Sequence, residues 1–215
     1  LAKVRVVDPD KFTYGLGQDE MAVPPITQDM ISLAANAVYK TISEDDKKDI
    51  DLVILASESG TDYSKAGSTS IVKLLGLNPQ SRAIEIKQAC YSATAALQLA
   101  KGHIALNPNK KALVIASDIS RYGLNTPGEP TQGAGAVAML ISNEAKLLEI
   151  TNQSSYFSDD IWDFWRPNYS DTAFVDGKYS NEQYQRLFKL TYQDFIEKFD
   201  YNSNDFDAYL FHIPY

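Results

Sequence analysis

The sequence predicts an α/β fold, and three features of its patterning carry that prediction. Short apolar runs rich in Val, Ile and Leu, such as Leu52-Val-Ile-Leu-Ala56 and Leu113-Val-Ile-Ala116, have the length of strands covered on both faces. Between them stand stretches of helical periodicity, the alternation that a sheet layered with helices requires. Gly and Pro punctuate the joins, at Pro24-Pro25, Gly76 and Pro79.

Each element follows in order. After Pro24-Pro25, the residues Ile26, Met30, Ile31, Leu33, Ala34, Ala37 and Val38 form one apolar stripe, which predicts a helix. Ser43-Glu-Asp-Asp-Lys-Lys48 reads as a solvated turn, and 51–57 as a buried strand. A second helix is expected over 64–75, stopped by Gly76. The run 82–87 alternates as a strand, and 93–106 is apolar enough for a wholly buried helix. Strands are expected again at 112–117 and 134–142. Residues 151–179 are aromatic and polar without a clean period, and read as an excursion or cap over the main sheet. Ser180-Asn-Glu-Gln fits a capping box that opens a last helix, with Tyr184, Leu187, Phe188, Thr191, Phe195 and Phe199 on its inner face. Residues 208–213 read as a final strand. The organisation expected is a first α/β half over 1–150, the excursion over 151–179, and the start of a second half over 180–215.

Composition narrows the function. Of 215 residues, 44% are hydrophobic and 22% charged, which suits a globular core and not a disordered tail. A net charge of −8 argues against a nucleic-acid partner, although a local basic patch is still able to grip an anion. No uncharged apolar run approaches the roughly 18 residues of a membrane span, and no basic stretch leads into an apolar one at the start. One cysteine, Cys90, excludes an intrachain disulfide, and two histidines, His103 and His212, make a histidine-rich metal centre an unsuitable reading. The chain starts at Leu1 without Met and stops after a half-apolar segment, so it is expected to be part of a longer protein.

Few residues have the chemistry of a site. Cys90 stands between a predicted strand and the apolar helix, where unpaired N–H groups and the helix dipole favour a thiolate. Position alone leaves it two roles, core side chain or nucleophile. Glu58 directly follows the strand 51–57, at the carboxyl end where α/β sheets place ligands; it is either a proton-transfer group or a solvated loop acid. His212, flanked by Phe211 and Ile213, is expected to be half-buried on the terminal strand, as a reactive or merely a packed imidazole. His103 has helix-surface spacing and no acidic neighbour in sequence, and reads as structural. The segment 121–136 is dense in Gly and Pro, which lets backbone approach a ligand, but it lacks the Gly-Lys-Ser/Thr of a nucleotide loop.

Eight blocks, in order, carry a family resemblance: Gly15-Leu-Gly-Gln, Ala56-Ser-Glu-Ser-Gly, Glu85-Ile-Lys-Gln-Ala-Cys-Tyr, Ser117-Asp-Ile-Ser-Arg-Tyr-Gly, Glu129-Pro-Thr-Gln-Gly-Ala-Gly-Ala-Val-Ala, Asp163-Phe-Trp-Arg-Pro, Val175-Asp-Gly-Lys and Phe211-His-Ile-Pro. Over nearly its whole length the chain resembles 3-hydroxy-3-methylglutaryl-CoA synthases of the bacterial type. The resemblance implies a thiolase-like layered fold with mostly buried mixed sheets and a buried central helix, incomplete in this chain. It implies condensation of acetyl-CoA with acetoacetyl-CoA and water, with no metal or redox cofactor, in a cytoplasmic homodimer. Cys90 matches the family's acyl-accepting cysteine, Glu58 its general acid/base and His212 its catalytic histidine. Asp8, Tyr122, Thr131, Asp163 and Ser180 match substrate contacts, with Ser180 also readable as a helix cap and Asp163 as an anchor for the aromatic excursion. Two alternatives accompany this reading. One is a polyketide β-branching relative acting on a carrier-protein-bound chain; the other is a non-catalytic thiolase-fold subunit, against which the intact Glu-Cys-His set argues.

Overall fold

The computed structural model describes residues 1–212. The chain forms two compact units. One gathers Leu1–Asp19, Arg121–Thr131 and the residues from Ile150 onward; the other consists of Glu20–Ser120 and Gln132–Glu149.

Two one-turn helices of the first unit, α1 (Ala2–Arg5) and α2 (Asp10–Thr13), open the chain. The other unit begins with α3 (Met30–Thr41) and the short α4 (Asp46–Asp49). The apolar stripe expected from Ile26 is shorter at its start, because helix formation waits for a side chain able to satisfy the first N–H groups. Asp29 supplies it: its Oδ1 accepts from Ser32 N at 2.7 Å, and Ser32 Oγ accepts from Asp29 N at 2.9 Å. Ile26 lies outside the helix, fully exposed.

Strand β1 (Ile50–Ala56) leads to α5 (Gly67–Leu74), β2 (Arg82–Ile86), α6 (Ser92–Leu106), β3 (Lys111–Ile119) and β4 (Ala134–Ile141). They form one mixed sheet in the order β2-β1-β3-β4, in which β1 runs parallel to β2 and β3, and β4 antiparallel to β3. Side chains alternate between the faces of the sheet. Val53, Leu55, Leu113 and Ile115 pack with Met30, Ala34 and Val38 of α3 and Ile71 of α5. Leu52, Ile54, Ala56, Ala112 and Val114 pack with Ala96, Ala100 and Ile104 of α6. A register irregularity between Ile50 and Leu52 turns Ile50 toward the first of these faces. Both faces are therefore covered, as the continuous apolar strands require.

The next two helices, α5 and α6, also differ from their sequence reading. α5 starts at Gly67 rather than at residue 64, because Asp62 Oδ1 captures the N–H groups of Ser64 and Lys65 at 2.7 Å each in a turn of its own. α6 lies on the sheet through one face only: Ala96, Ala100 and Ile104 recur at helical spacing and are buried, while Leu99 and Leu106 on other faces are exposed. His103, expected on the surface, is mostly buried, with Nε2 2.8 Å from Asp51 Oδ1.

In the other unit, a 3₁₀ turn covers Glu129–Thr131. The aromatic stretch holds an antiparallel ribbon of β5 (Phe164–Trp165) and β6 (Phe174–Val175). The long α7 (Gly177–Phe199) follows. Its cap is Asp176, whose Oδ1 accepts from Tyr179 N at 3.0 Å, so Ser180 sits inside the helix rather than capping it. The expected inner face is half-exposed: α7 has no buried residue, and its rings pack sideways, Phe188 on Tyr192 and Phe211, and Phe195 on Phe199 and Tyr201. Residues 208–212 form no strand; Ile213, the end of the expected strand, lies outside the described residues. A strand needs a neighbour's ladder of backbone groups, and none of the described strands pairs with this segment. Tyr209 and Phe211 instead stack on each other and meet rings of α7.

Candidate active site

The sheet's carboxyl end organises two of the sequence-predicted residues. Ala56 of β1 pairs with Ile86 of β2 in parallel register, and Ser57 N donates to Ile86 O at 3.1 Å. Glu58 leaves β1 two positions after Ala56 and Cys90 leaves β2 four positions after Ile86, so their turns emerge from the same end of adjacent strands. Unequal but parallel exits of this type are where open α/β sheets build ligand sites.

Cys90 is exposed, on a tight turn just before α6. Tyr91 N donates to Gln88 O at 3.1 Å, and Ser92 N donates to Ala89 O at 3.2 Å. Ala89 adopts φ +43°, a left-handed conformation that costs a residue with a β-carbon about 1 kcal/mol or more. The strained turn thus holds the thiol at a helix N-terminus, exposed and outside the core of the described residues.

Glu58 is half-buried in a turn held by a residue the sequence reading left without a role, Asp118. Asp118 Oδ1 accepts from Ser57 Oγ at 2.7 Å, Glu58 N at 2.8 Å, Ser59 N at 2.9 Å and Ser59 Oγ at 2.7 Å. Ser59 Oγ in turn accepts from Ile119 N at 3.0 Å. The available signal was an acid at the end of a buried strand; its use depends on β3 lying beside β1, which periodicity does not reveal. Gly60 completes the turn: a β-carbon there would come 2.5 Å from both Glu85 Oε1 and Lys87 Cε, so a larger residue would have to displace the ends of those two side chains. Beside Asp118 lies an open groove of about 410 Å³, bordered by Ser117, Ser120, Gly133 and Gly135.

The remaining predicted residues belong to the other unit. Asp8 is exposed, and its Oδ1 accepts from Asp10 N at 3.0 Å. Tyr122 packs edge-on against Phe164, with centroids 5.9 Å apart. Thr131 Oγ1 donates to Gly128 O at 2.9 Å. Ser180 Oγ donates to Asp163 Oδ2 at 2.7 Å, and Asp163 O accepts from Asp176 N at 2.9 Å, so these two predicted contacts meet each other and brace the start of α7. His212 is exposed rather than half-buried, for want of the strand that would have enclosed it; its carbonyl accepts from Tyr184 Oη at 3.1 Å. Sequence reasoning also missed Glu129, a buried carboxylate. Its hydrogen bonds from Arg5 hold its carboxyl below the usual carboxylate range.

No helix among the described residues is long and apolar enough to cross a membrane. Comparison with known proteins gives a consistent set of likenesses. The family described as hydroxymethylglutaryl-coenzyme A synthase N terminal matches residues 1–146. A hydroxymethylglutaryl-CoA synthase of Enterococcus faecalis is 49% identical over 215 residues, covering 100% of this chain and 56% of that protein. A polyketide biosynthesis 3-hydroxy-3-methylglutaryl-ACP synthase of Bacillus subtilis is 36% identical over 233 residues, covering 100% of this chain and 55% of that protein. A crystal structure of an HMG-CoA synthase complexed with CoA superposes with a TM-score of 0.96 at 46% identity, covering 99% of this chain and 55% of that one. The likeness extends the architecture seen in the mixed sheet to the thiolase-like fold that the resemblance implied. This chain spans about half the length of the relatives it matches.

Proposed function

From a chain that belongs to the hydroxymethylglutaryl-CoA synthase family, we propose that the whole protein condenses acetyl-CoA with acetoacetyl-CoA and water to give 3-hydroxy-3-methylglutaryl-CoA and free CoA. The observation that carries this reading is the shared exit of the Glu58 and Cys90 turns from adjacent parallel strands.

The chemistry runs in three steps. The Cys90 thiolate attacks the acetyl carbonyl and CoA leaves as its thiol, forming acetyl-Cys90; N–H groups at the start of α6 favour the oxyanion. Glu58 then takes a proton from the acetyl methyl, and the resulting enolate carbon attacks C3 of acetoacetyl-CoA. His212 polarises that keto oxygen and leaves it as a hydroxyl. Water finally cleaves the Cys90 thioester, freeing the carboxylate of the product and restoring the thiol. Asp8, Tyr122, Thr131, Asp163 and Ser180 supply contacts to the thioester substrates. The α-carbon of a thioester is acidic enough for a carboxylate base, so the sequence of steps needs no metal or redox cofactor. We assign the working form to a homodimer in the cytoplasm, with residues from 180 opening the second thiolase-like half.

A second reading has one observation in its favour, the likeness to a synthase named for an acyl-carrier-protein product. The higher identity to the CoA-named enzyme favours CoA. The test is to acetylate the whole protein with acetyl-CoA, locate the label by peptide mass, and follow the loss of acetoacetyl-CoA enolate absorbance. Label on Cys90 and consumption of acetoacetyl-CoA are expected. Turnover only with an acetoacetyl carrier protein would transfer the assignment to the second reading, and labelling elsewhere would overturn both.

A further inference from the structure

The side chain of Glu129 is 7% exposed, and both of its oxygens are engaged. Arg5 Nη2 donates to Oε1 at 2.6 Å, and Arg5 Nε donates to Oε2 at 2.8 Å, a fork-to-fork pair that fixes orientation as well as distance. Oε2 also accepts from Asn125 N at 2.8 Å. One carboxylate therefore closes the loop 121–131 on itself and fastens it to α1.

The loop's other contacts include a 3₁₀ turn over Glu129–Thr131, the bond from Thr131 Oγ1 to Gly128 O at 2.9 Å and the Tyr122–Phe164 ring pair, and none of these ties it to α1. Gly123 has φ +90° and Asn125 φ +57°, and Thr126 Oγ1 donates to Tyr122 O at 2.8 Å. Gly and Pro leave such a segment many backbone states unless something selects one. The residues so held matter to the proposed reaction. Tyr122 and Thr131 lie on the loop, and Asp8 lies three positions beyond Arg5. A buried ion pair is a poor means of raising stability, since a matched apolar pair does as well; fixed geometry is its distinctive product.

We propose that Arg5 and Glu129 are positioning residues, which hold the Tyr122–Thr131 loop in register with the Asp8 segment and thereby set the affinity for the thioester substrate. This rests on the reading of Asp8, Tyr122 and Thr131 as substrate contacts.

The experiment uses the whole protein in four forms: parent, Glu129→Gln, Arg5→Met, and the double variant. Each single change strands a buried polar or charged partner and lowers the thermal midpoint. The double variant removes both charges, so its midpoint falls by less than the sum of the two single losses. A purely structural pair would keep parental kinetics in the folded double variant. A positioning pair would not: KM for acetoacetyl-CoA should stay raised in the double variant, on the order of tenfold or more, with kcat much less affected. A parental KM in the double variant overturns the inference while leaving the proposed reaction intact. A parent that binds and condenses no thioester overturns the reaction first, and the inference with it.

Discussion

Asp118 Oδ1 accepts the backbone N–H of Glu58 at 2.8 Å, joining residues that stand 60 positions apart in the chain. Three more donors from Ser57 and Ser59 converge on that oxygen. A turn between a buried strand and a loop would otherwise sample several conformations; four charge-assisted bonds leave one. Substitution Asp118→Ala should therefore lower turnover on the order of 10²-fold, through misplacement of Glu58 rather than loss of a reacting group. Asp118→Asn, which retains an acceptor oxygen, should be milder. Equal turnover of parent and Asp118→Ala would show that the turn holds without its anchor.

Cys90 is exposed on a strained turn and makes no disulfide. Cys90→Ala should abolish acetyl labelling from acetyl-CoA, yet leave the unfolding free energy within about 0.5 kcal/mol of the parent, as surface changes usually do. Cys90→Ser should fold equally well and label poorly, since an alcohol is far less ionised than a thiol near neutral pH. Intact-protein mass after acetyl-CoA treatment reads both outcomes, and a full label on Cys90→Ala would remove the thiol from the mechanism.

Acylation and condensation should separate at Glu58. Attack by the thiolate needs no base to abstract a methyl proton, whereas carbon–carbon bond formation does. Glu58→Ala should still take up acetyl, and then consume acetoacetyl-CoA slower by about 10²–10⁴-fold. His212→Ala should also retain acylation but engage acetoacetyl-CoA less productively. Single-turnover measurement on pre-acetylated protein distinguishes these cases; condensation by Glu58→Ala at the parental rate would make the carboxylate a bystander.

Acid should weaken the unit that carries the sheet through Asp46. Its carboxyl is held well below the ordinary 3.8 by hydrogen bonds from the Ser43 side chain and from Lys111, then by the Ser43 backbone. A depressed folded-state pKa stabilises the fold above the unfolded value and ceases to do so as pH falls through the folded one. The stability difference between parent and Asp46→Asn should thus be complete at neutral pH and shrink once the pH drops below about 4. Urea unfolding at a series of pH values measures it. A difference that grows on acidification would contradict the assignment.

The sequence by itself determined which stretches enter the core and which residue types carry chemistry. Continuous Val, Ile and Leu runs have no other stable place than a covered sheet, and all four expected strands of that sheet formed within a few residues of their predicted limits. The positions of Glu58 and Cys90 after their strands were legible for the same reason, whereas the order of the motifs was read from the family resemblance. Boundaries depended on individual capping atoms: Asp29, Asp62 and Asp176 each decided where a helix or turn begins. Only the tertiary structure decided partners far apart in the chain. Asp118 acquired its role from β3 lying beside β1, Glu129 from Arg5 lying 124 positions away, and residues 208–212 lost their expected strand because none of the described strands pairs with them. Local periodicity records whether a side chain is buried, but a hydrogen bond between distant residues exists only once the chain has folded to bring its two ends together.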